Sequence, residues 1–346
     1  MKGQMKQQVM TAPKKIAYRM VEIPKIKADQ VLVKIMQIGI CGSDIHVYHG
    51  MHPFTSYPVT QGHEVSAEIV ETGENVQGFS VGEKVTIEPQ VYCGKCYPCT
   101  HGKYNLCENL KVMGFQTTGT ASEYFAVDAS KVTKLPETMT YAQGAMIEPL
   151  AVTVHATRQF GDMKGNKVAV LGAGPIGILL AQTCKALGAA ETMITDISEY
   201  RLQLAKKVGV DYAVNTGREN FGDAMVQCFG SDKADVIYDC AGNDITMGQA
   251  IQYARKGSTI ILVAVFAKMA MVDLAVLNDH ELDLNTTMMY RHEDYVEAIR
   301  LVESGKVQLE PLMSQTFTFE EYQKAYEYID ENRETTMKVL IKVNES

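Results

Sequence analysis

Hydrophobic and polar positions change their pattern twice along the chain. Between residues 1 and 150, short segments alternate apolar and polar residues, as in QVLVKIMQIGI (30–40) and VSAEIVETG (65–73). Glycine, proline and asparagine separate these segments. Period-two alternation is typical of strands that are buried on one face. This part of the chain is therefore predicted to be a largely antiparallel β domain.

The apolar runs that follow are continuous rather than alternating. NKVAVLGAG (166–174) predicts a strand buried on both faces, and PIGILLAQTCKALG (175–188) predicts the helix after it. ETMITD predicts the next strand, followed by a helix with Ser198 as its candidate N-cap. ADVIYDCAG and GSTIILVAVF predict two further buried strands. Strands that alternate with helices in this way form a parallel α/β sheet.

The last part of the chain returns to a mixed pattern. HEDYVEAIRLVESGKV and EEYQKAYEYIDEN predict two amphipathic helices, and MKVLIKV (337–343) predicts a closing strand that can rejoin the N-terminal sheet. A length of 346 residues corresponds to two domains at about 150 residues each. We predict one domain from residues 1–150 and 288–346, and a second from residues 151–287.

Composition narrows the class of protein. The chain has 33 Lys and Arg against 41 Asp and Glu, a formal net charge of −8, which disfavours a bulk nucleic-acid or anionic-membrane binder. Its hydrophobic content of 46% is too high for a disordered chain. The sequence offers neither a long apolar span nor a signal-peptide core. A cytoplasmic protein is expected, with no nucleic acid and no membrane as partner.

A glycine-rich turn with the pattern GxGxxG joins the first buried strand to its helix. Its predicted cofactor-binding residues are Gly172, Gly174, Pro175, Ile176 and Gly177. Asp196 ends the next strand, where an acidic residue hydrogen-bonds a ribose 2′-OH and repels a 2′-phosphate. This setting predicts NAD rather than NADP; the alternative is a glycine turn without a ligand. Arg201 is a further candidate as a phosphate partner, against the alternative of a solvated helix residue.

Four cysteines lie within fifteen residues of one another. They are spaced x2, x2 and x7 along the loop 88–110 and are Cys93, Cys96, Cys99 and Cys107. Four thiolates complete a tetrahedral zinc site with no position open for substrate, so a structural zinc is predicted. A redox or iron–sulfur cluster is the alternative, although the spacing matches neither ferredoxin pattern.

Three other short motifs contain metal-ligating residue types. Cys41 lies in GICGSDIH, His63 and Glu64 lie in QGHEVSAEIV, and Glu148 lies in MIEPLAV. One thiolate, one imidazole and one carboxylate would suit a catalytic zinc that keeps a position open. Composition alone does not join these residues.

Together these motifs resemble the zinc-containing medium-chain alcohol/polyol dehydrogenase family, over essentially the whole chain. The motifs that carry the resemblance are GICGSDIH, GHE, the four-cysteine loop, EPLAV, VLGAGPIG, TDISEYRLQLAKKVGVD and YDCAG. The resemblance implies an α/β protein with a GroES-like mainly-β catalytic domain and a Rossmann domain with a doubly wound parallel sheet. It also implies two zinc ions per chain, NAD as cofactor, and a homo-oligomer, either a tetramer or a dimer.

The resemblance assigns roles to individual residues. It implies that Cys41 and His63 bind the catalytic zinc, with Glu64 and Glu148 sharing the metal shell in an order left open. The glutamate of EPL resembles the sorbitol dehydrogenase-like branch, which includes threonine and butanediol dehydrogenases. Ser43 and His46 match a proton relay, against the alternatives of a helix N-cap and a surface residue. Arg291, in MMYRHEDY, resembles a substrate-side residue of polyol dehydrogenases.

The motifs and the family resemblance together predict a zinc-dependent oxidoreductase. It would transfer a hydride from a secondary hydroxyl of a polyol, sugar acid or related alcohol to NAD+, giving the ketone. Zinc would act as a Lewis acid on the hydroxyl, and the nicotinamide would accept the hydride. The alternatives are an L-threonine or butanediol dehydrogenase, an inactive relative, and a zinc-knuckle nucleic-acid-binding protein. The balanced charge around the four cysteines disfavours the last of these.

Overall fold

The computed structural model describes residues 2–266 and 268–345. The chain divides into two compact units. The first comprises Met1–Pro149, Arg291–Ile299 and Met313–Ser346, and the second comprises Leu150–Tyr290 and Arg300–Leu312. No helix within the described residues has both the length and the apolar character needed to cross a membrane.

Strands and helices of both units are numbered in chain order. The strands are β1 Gln4–Ala12, β2 Lys15–Glu22, β3 Gln30–Ile40, β4 Glu64–Thr72, β5 Lys84–Ile87, β6 Gln90–Val91, β7 Lys111–Val112, β8 Tyr124–Asp128, β9 Val132–Lys134, β10 Lys167–Leu171, β11 Glu191–Asp196, β12 Tyr212–Asn215, β13 Val236–Asp239, β14 Thr259–Leu262, β15 Asp283–Thr286, β16 Met313–Thr318 and β17 Lys338–Lys342. The α-helices are α1 Gly42–Tyr48, α2 Tyr97–Thr100, α3 Tyr141–Ala145, α4 Ile147–Arg158, α5 Pro175–Ala186, α6 Glu199–Lys207, α7 Phe221–Phe229, α8 Asp244–Tyr253, α9 Leu274–Asp279, α10 His292–Glu303 and α11 Tyr322–Glu331.

The first unit is built on a seven-stranded sheet. Its strand order is β16-β17-β3-β4-β5-β9, with β8 also paired to β3. The long strand β3 lies at its centre, and Val31, Ile35 and Ile38 are fully buried in the core. The closing strand β17 pairs antiparallel with β3, aligning Val339 with Ile40. The prediction that the C-terminal strand rejoins the N-terminal sheet is therefore confirmed.

The second unit contains a six-stranded parallel sheet in the order β12-β11-β10-β13-β14-β15. This is the doubly wound order, and it reverses between β10 and β13. The side chains of Val168, Ala169, Val170 and Leu171 are all fully buried in β10, as the continuous apolar run predicts. The predicted parallel sheet is confirmed. Ligands of such sheets bind at the carboxyl ends of the strands, beside the point of reversal.

The segment 300–312 lies with the second unit, whereas the predicted domains place it in the first. A reciprocal amide pair connects it to α5. The Nε2 of Gln182 donates to the carbonyl of Gln308 at 3.1 Å, and the backbone N–H of Gln308 donates to Oε1 of Gln182 at 2.8 Å. Val307 and Leu309 are buried in the same segment. These contacts are specific to the folded chain and leave no periodic pattern in the sequence.

The turn from β10 into α5 depends on two glycines. Gly172 has a φ of +98°, a left-handed conformation that favours glycine. A Cβ atom on Gly177 would lie 1.8 Å from the carbonyl oxygen of Gly172, which allows no side chain there. Gly174, the N-cap of α5, has an ordinary φ of −70° and open space around its Cα. Pro175 then begins the helix, as predicted.

We expect Gly177→Ala to destabilise the second unit and Gly174→Ala to leave its stability unchanged. The first substitution forces a backbone shift, which typically costs about 1–3 kcal/mol, whereas the second meets no atom. Gly174→Ala should instead weaken NADH binding, since a methyl group there obstructs close approach of a pyrophosphate. Urea denaturation followed by circular dichroism, with NADH fluorescence titration, measures both effects. Equal stability of the two variants would contradict this account.

Candidate metal and nucleotide sites

Three of the four residues predicted for the catalytic zinc come together in the first unit. Cys41 directly follows β3, while His63 and Glu64 lie at the start of β4. Because β3 and β4 pair antiparallel, with Gly39 opposite Glu64, the end of one strand meets the start of the other. Possible ligand atoms of Cys41, His63 and Glu64 all lie within 4.8 Å of one another. His63 and Glu64 are buried, whereas Cys41 is half-buried.

Gly39 makes room for the Glu64 carboxylate. A Cβ atom on Gly39 would lie 2.2 Å from Oε2 of Glu64, closer than any real contact. Any other residue at this position would displace the carboxylate. The requirement for glycine at this position arises only from strand pairing, so no local pattern in the sequence predicts it.

Asp44 lies beside the other two residues, Cys41 and His63, and belongs to a buried hydrogen-bond chain. Asp44 accepts a hydrogen bond from the backbone N–H of Cys41 at 3.0 Å, and its Oδ1 lies 3.5 Å from Nδ1 of His63. Gln61 donates to the same carboxylate at 3.2 Å and accepts from the Tyr326 hydroxyl at 2.6 Å. Burial by itself lowers the pKa of His63, but the charge of Asp44 outweighs it and raises that pKa well above its ordinary value. A cation that binds His63 competes with protons for the imidazole.

Lys338, on β17, forms a buried ion pair with Glu64. Its Nζ donates to both carboxylate oxygens at 2.7 Å and to the carbonyl of Ile40 at 3.3 Å. Burial lowers the pKa of Lys338, but the charges of Glu64 and Cys41 outweigh that effect and raise it. The raised pKa of Lys338 therefore contributes stability at neutral pH, and this contribution is lost as pH rises through the raised pKa. Lys338 belongs to no ligand-like motif, so the sequence did not point to it.

Glu148 lies in the first turn of α4 and is also buried. Among the described residues it is not a member of the close group formed by Cys41, His63 and Glu64. Its charge nevertheless helps to raise the pKa of Lys338. The charges of Glu64 and Glu148 therefore both raise the pKa of Lys338. The sequence analysis assigns Glu64 and Glu148 to the metal shell together, without an order, and this assignment stays a prediction.

The two predicted relay residues lie on α1. Cys41 is the N-cap of this helix, so Ser43 occupies its second position and is not the N-cap. Ser43 is half-buried and His46 is exposed, one turn further along the helix. Nearby, the His52 ring stacks on Phe115 with 4.9 Å between centroids, and the Phe115 ring lies 5.0 Å from that of His63. The sequence analysis assigned no role to these two aromatic rings.

The four cysteines of the loop 88–110 converge as the spacing predicts. Possible ligand atoms of Cys93, Cys96, Cys99 and Cys107 lie within 4.8 Å of one another, and all four thiols are free. Gly94 and Gly102 make the turns between them with φ of +70° and +72°. The backbone N–H groups of Cys93 and Asn109 both donate to Sγ of Cys107 at 3.3 Å.

The electrostatics of this loop fit a bound cation. Hydrogen bonds from the backbone N–H groups of Lys95 and Cys96 lower the pKa of Cys93 to about 6. Desolvation and the neighbouring Cys96 raise the pKa of Cys99 to about 12. The four thiols therefore cannot all ionise at neutral pH without a positive charge among them. A closed four-sulfur set of this kind matches the donor chemistry of a structural zinc.

Arg291, predicted to contact substrate, lies beside the cysteine loop. Its Nη1 is 3.5 Å from the carbonyl of Gly102, and its Nε is 3.1 Å from Glu293. The adjacent His292 is 2.6 Å from Glu88, at the start of the same loop. These contacts attach the loop to α10, and the substrate role of Arg291 remains a prediction.

The predicted nucleotide-binding residues gather at the carboxyl ends of β10 and β11. The Asp196 carboxylate accepts from the backbone N–H of Ala173 at 2.8 Å and from that of Ser198 at 2.9 Å. Nη1 of Arg201 lies 3.9 Å from the same carboxylate. The acidic residue is thus fixed against the glycine turn, with one cation next to it. Ser198 caps α6 through its side chain, as predicted.

Comparison with known proteins decides the family. Residues 27–137 match the model of the alcohol dehydrogenase GroES-like domain, and residues 175–304 match that of the zinc-binding dehydrogenases. A sorbitol dehydrogenase of Halalkalibacterium halodurans is 37% identical, over 90% of this chain and 91% of its own. A 2-dehydro-3-deoxy-L-galactonate 5-dehydrogenase of Pseudoalteromonas atlantica is 34% identical, over 92% and 93%. The chain belongs to the zinc-containing medium-chain alcohol/polyol dehydrogenase family.

A solved structure agrees with this membership. An alcohol dehydrogenase of Escherichia coli CFT073, complexed with NADH, superposes with a TM-score of 0.91 at 31% identity. The superposition covers 98% of this chain and 99% of that one. The predicted combination of a GroES-like domain and a Rossmann domain is therefore confirmed, as is the prediction that this dehydrogenase family member is an enzyme.

We expect Lys338→Met to lower the free energy of unfolding by about 3–5 kcal/mol, because it leaves the Glu64 carboxylate buried and unpaired. The double variant Lys338→Met with Glu64→Gln should recover much of this loss, since no buried charge remains. Lys342→Met, at a more exposed position of the same strand, is the matched control and should change stability by about 0.5 kcal/mol or less. Urea denaturation of metal-depleted protein measures all three. A single variant no less stable than its control would contradict the importance of the pair.

Proposed function

We propose that this chain oxidises a secondary hydroxyl of a polyol, sugar acid or related alcohol to the ketone, reversibly and with NAD+ as acceptor. The observation that carries the proposal is the close group of Cys41, His63 and Glu64, two of them buried, in a member of the zinc-type dehydrogenase family. A sorbitol dehydrogenase and a sugar-acid dehydrogenase among its relatives support a polyhydroxylated small-molecule substrate.

The proposal also includes two zinc ions per chain. Cys41 and His63, with Glu64 or Glu148, would hold the catalytic ion, and the four cysteines of the loop would hold the structural one. When bound, the catalytic zinc supplies Lewis acidity to the substrate hydroxyl, and NAD+ accepts the hydride. Asp44 accepts from the backbone N–H of Cys41 and lies beside the His63 imidazole, while Lys338 fixes the Glu64 carboxylate. Burial of the His63 and Glu64 side chains would limit the access of competing water.

Proton transfer is assigned to Ser43 and His46. The half-buried Ser43 hydroxyl would receive the proton of the substrate hydroxyl, and the exposed His46 would release it to solvent. Their positions one turn apart on α1 support this order. The proposal also retains the expectation of a cytoplasmic homo-oligomer, either a dimer or a tetramer.

Zinc content and NADH production, measured on one preparation, test the function. The substrate panel consists of alditols, aldonates, alditol phosphates, L-threonine and 2,3-butanediol. We expect about two zinc ions in the wild type and about one in each of Cys41→Ser and Cys96→Ser, because each loses one ligand of a different site. Cys41→Ser and Glu148→Gln should lose turnover by two orders of magnitude or more while staying folded. Cys228→Ser, outside both cysteine sites, is the control and should retain both zinc and activity.

Three outcomes distinguish the alternatives. About one zinc in the wild type, unchanged in Cys41→Ser and without NADH production, would refute the catalytic assignment. Turnover confined to L-threonine or 2,3-butanediol would identify those substrate classes instead. Turnover of alditols or aldonates, lost in Cys41→Ser, supports the proposal.

Cofactor preference gives a separate test. We expect the wild type to prefer NAD+, because the Asp196 carboxylate accepts from a ribose hydroxyl and repels a 2′-phosphate. Asp196→Ser should reduce the ratio of kcat/KM for NAD+ over NADP+ about tenfold or more, since Arg201 then faces the phosphate without its acidic neighbour. Asp223→Ser, an exposed acid of the same unit, should leave the ratio unchanged. An unaltered ratio in Asp196→Ser would remove this residue from cofactor selection.

A further inference from the structure

A cavity of about 540 Å³ lies within the first unit, between the β1–β2 hairpin and the loops that carry Phe54 and Phe115. Its volume is in the range that binds small organic ligands. The hydroxyl-bearing residues Ser56 and Thr118 contribute to its wall, and the two phenylalanines supply apolar surface. A wall that combines hydroxyl groups with aromatic faces suits a polyhydroxylated carbon chain.

This cavity is adjacent to the candidate zinc site. Phe115 forms part of its wall, and the Phe115 ring lies 5.0 Å from the ring of His63. A ligand in the cavity is therefore one aromatic ring away from the Cys41–His63–Glu64 group.

Arg19 is the single ionisable residue in the described cavity wall. Its Nε and Nη2 both donate to Oε1 of the buried Gln7, at 2.9 and 2.7 Å. The two residues face each other across the β1–β2 pair, so strand register holds the guanidinium in place. Within the described residues no carboxylate lies at ion-pair distance from Arg19. Its positive charge is thus oriented by a neutral amide and left uncompensated, in a chain whose net charge is −8.

We propose that Arg19 binds an anionic terminal group of the substrate, a carboxylate or a phosphate, and so determines specificity. The inference rests on the proposed function and narrows its substrate class to anionic polyhydroxy compounds. A guanidinium with free N–H donors pairs with two oxygens of either anion at once. The hydroxyl-bearing wall then contacts the carbon chain between that end and the zinc site. Gln7 is the positioning residue that aims the guanidinium.

Steady-state kinetics on the zinc-loaded chain test the assignment with Arg19→Gln. For every aldonate or alditol phosphate that the wild type oxidises, KM should rise about 10- to 100-fold with kcat changed less than about twofold. The KM of any neutral alditol should not change. Gln7→Leu, which keeps the charge but releases the guanidinium, should give a smaller rise of the same kind. Lys15→Gln removes an equal charge about 13 Å along the same strand and is the control.

Calorimetric titration of the same aldonates and alditol phosphates without NAD+ measures binding when no reaction is possible. Weaker binding in Arg19→Gln but not in Lys15→Gln supports the assignment, and the comparison of aldonate with phosphate identifies the anion. Unchanged KM and binding constants in Arg19→Gln, or a wild type that binds only neutral alditols, would overturn it. The proposed function would survive either result. If no panel member is oxidised, the proposed function fails, and the titration alone decides the role of Arg19.

Discussion

Much of the candidate catalytic site depends on one constraint, the burial of the Glu64 carboxylate. A charge removed from water requires a partner of opposite sign, and Lys338 provides it at 2.7 Å. The two residues are 274 positions apart in sequence, so the pair can form only when β17 lies against β3 and β3 lies against β4. The same strand register places Gly39 under the carboxylate. The strand pairings that close the sheet therefore also bring the residues of the site together.

Charge balance explains why both candidate metal-binding groups suit a cation. Around Cys41, the buried acidic groups are Asp44, Glu64 and Glu148, and the Nζ of Lys338 pairs with one of them, Glu64. In the cysteine loop, thiols compete for ionisation, so that one is acidified while another is held protonated. A divalent ion relieves both arrangements, because it allows ligands to deprotonate together. The four-cysteine loop brings its thiols together with its own turns alone. The group around Cys41 requires the pairing of three strands, β3, β4 and β17.

The second unit depends on a different constraint, the close approach of α5 to the turn that follows β10. Gly177 has no room for a Cβ atom because the helix after β10 lies against the carbonyl of Gly172. The Asp196 carboxylate accepts a hydrogen bond from Ala173 in the same turn, which couples the acidic residue to the glycine loop. Nucleotide-site geometry is thus built from a few adjacent backbone groups. Here a short sequence motif contains nearly all of the necessary information.

The sequence by itself determined the two-part α/β organisation, the glycine turn with its acidic neighbour, and the four-cysteine loop. Each of these depends on residues close together in the chain, where spacing directly encodes geometry. Only the tertiary structure decided the partners of Glu64, the Asp44–Gln61–Tyr326 chain and the attachment of 300–312 to the second unit. Those contacts join side chains from distant strands and helices. Pairing between such elements is set by burial and register across the whole sheet, which no local pattern records.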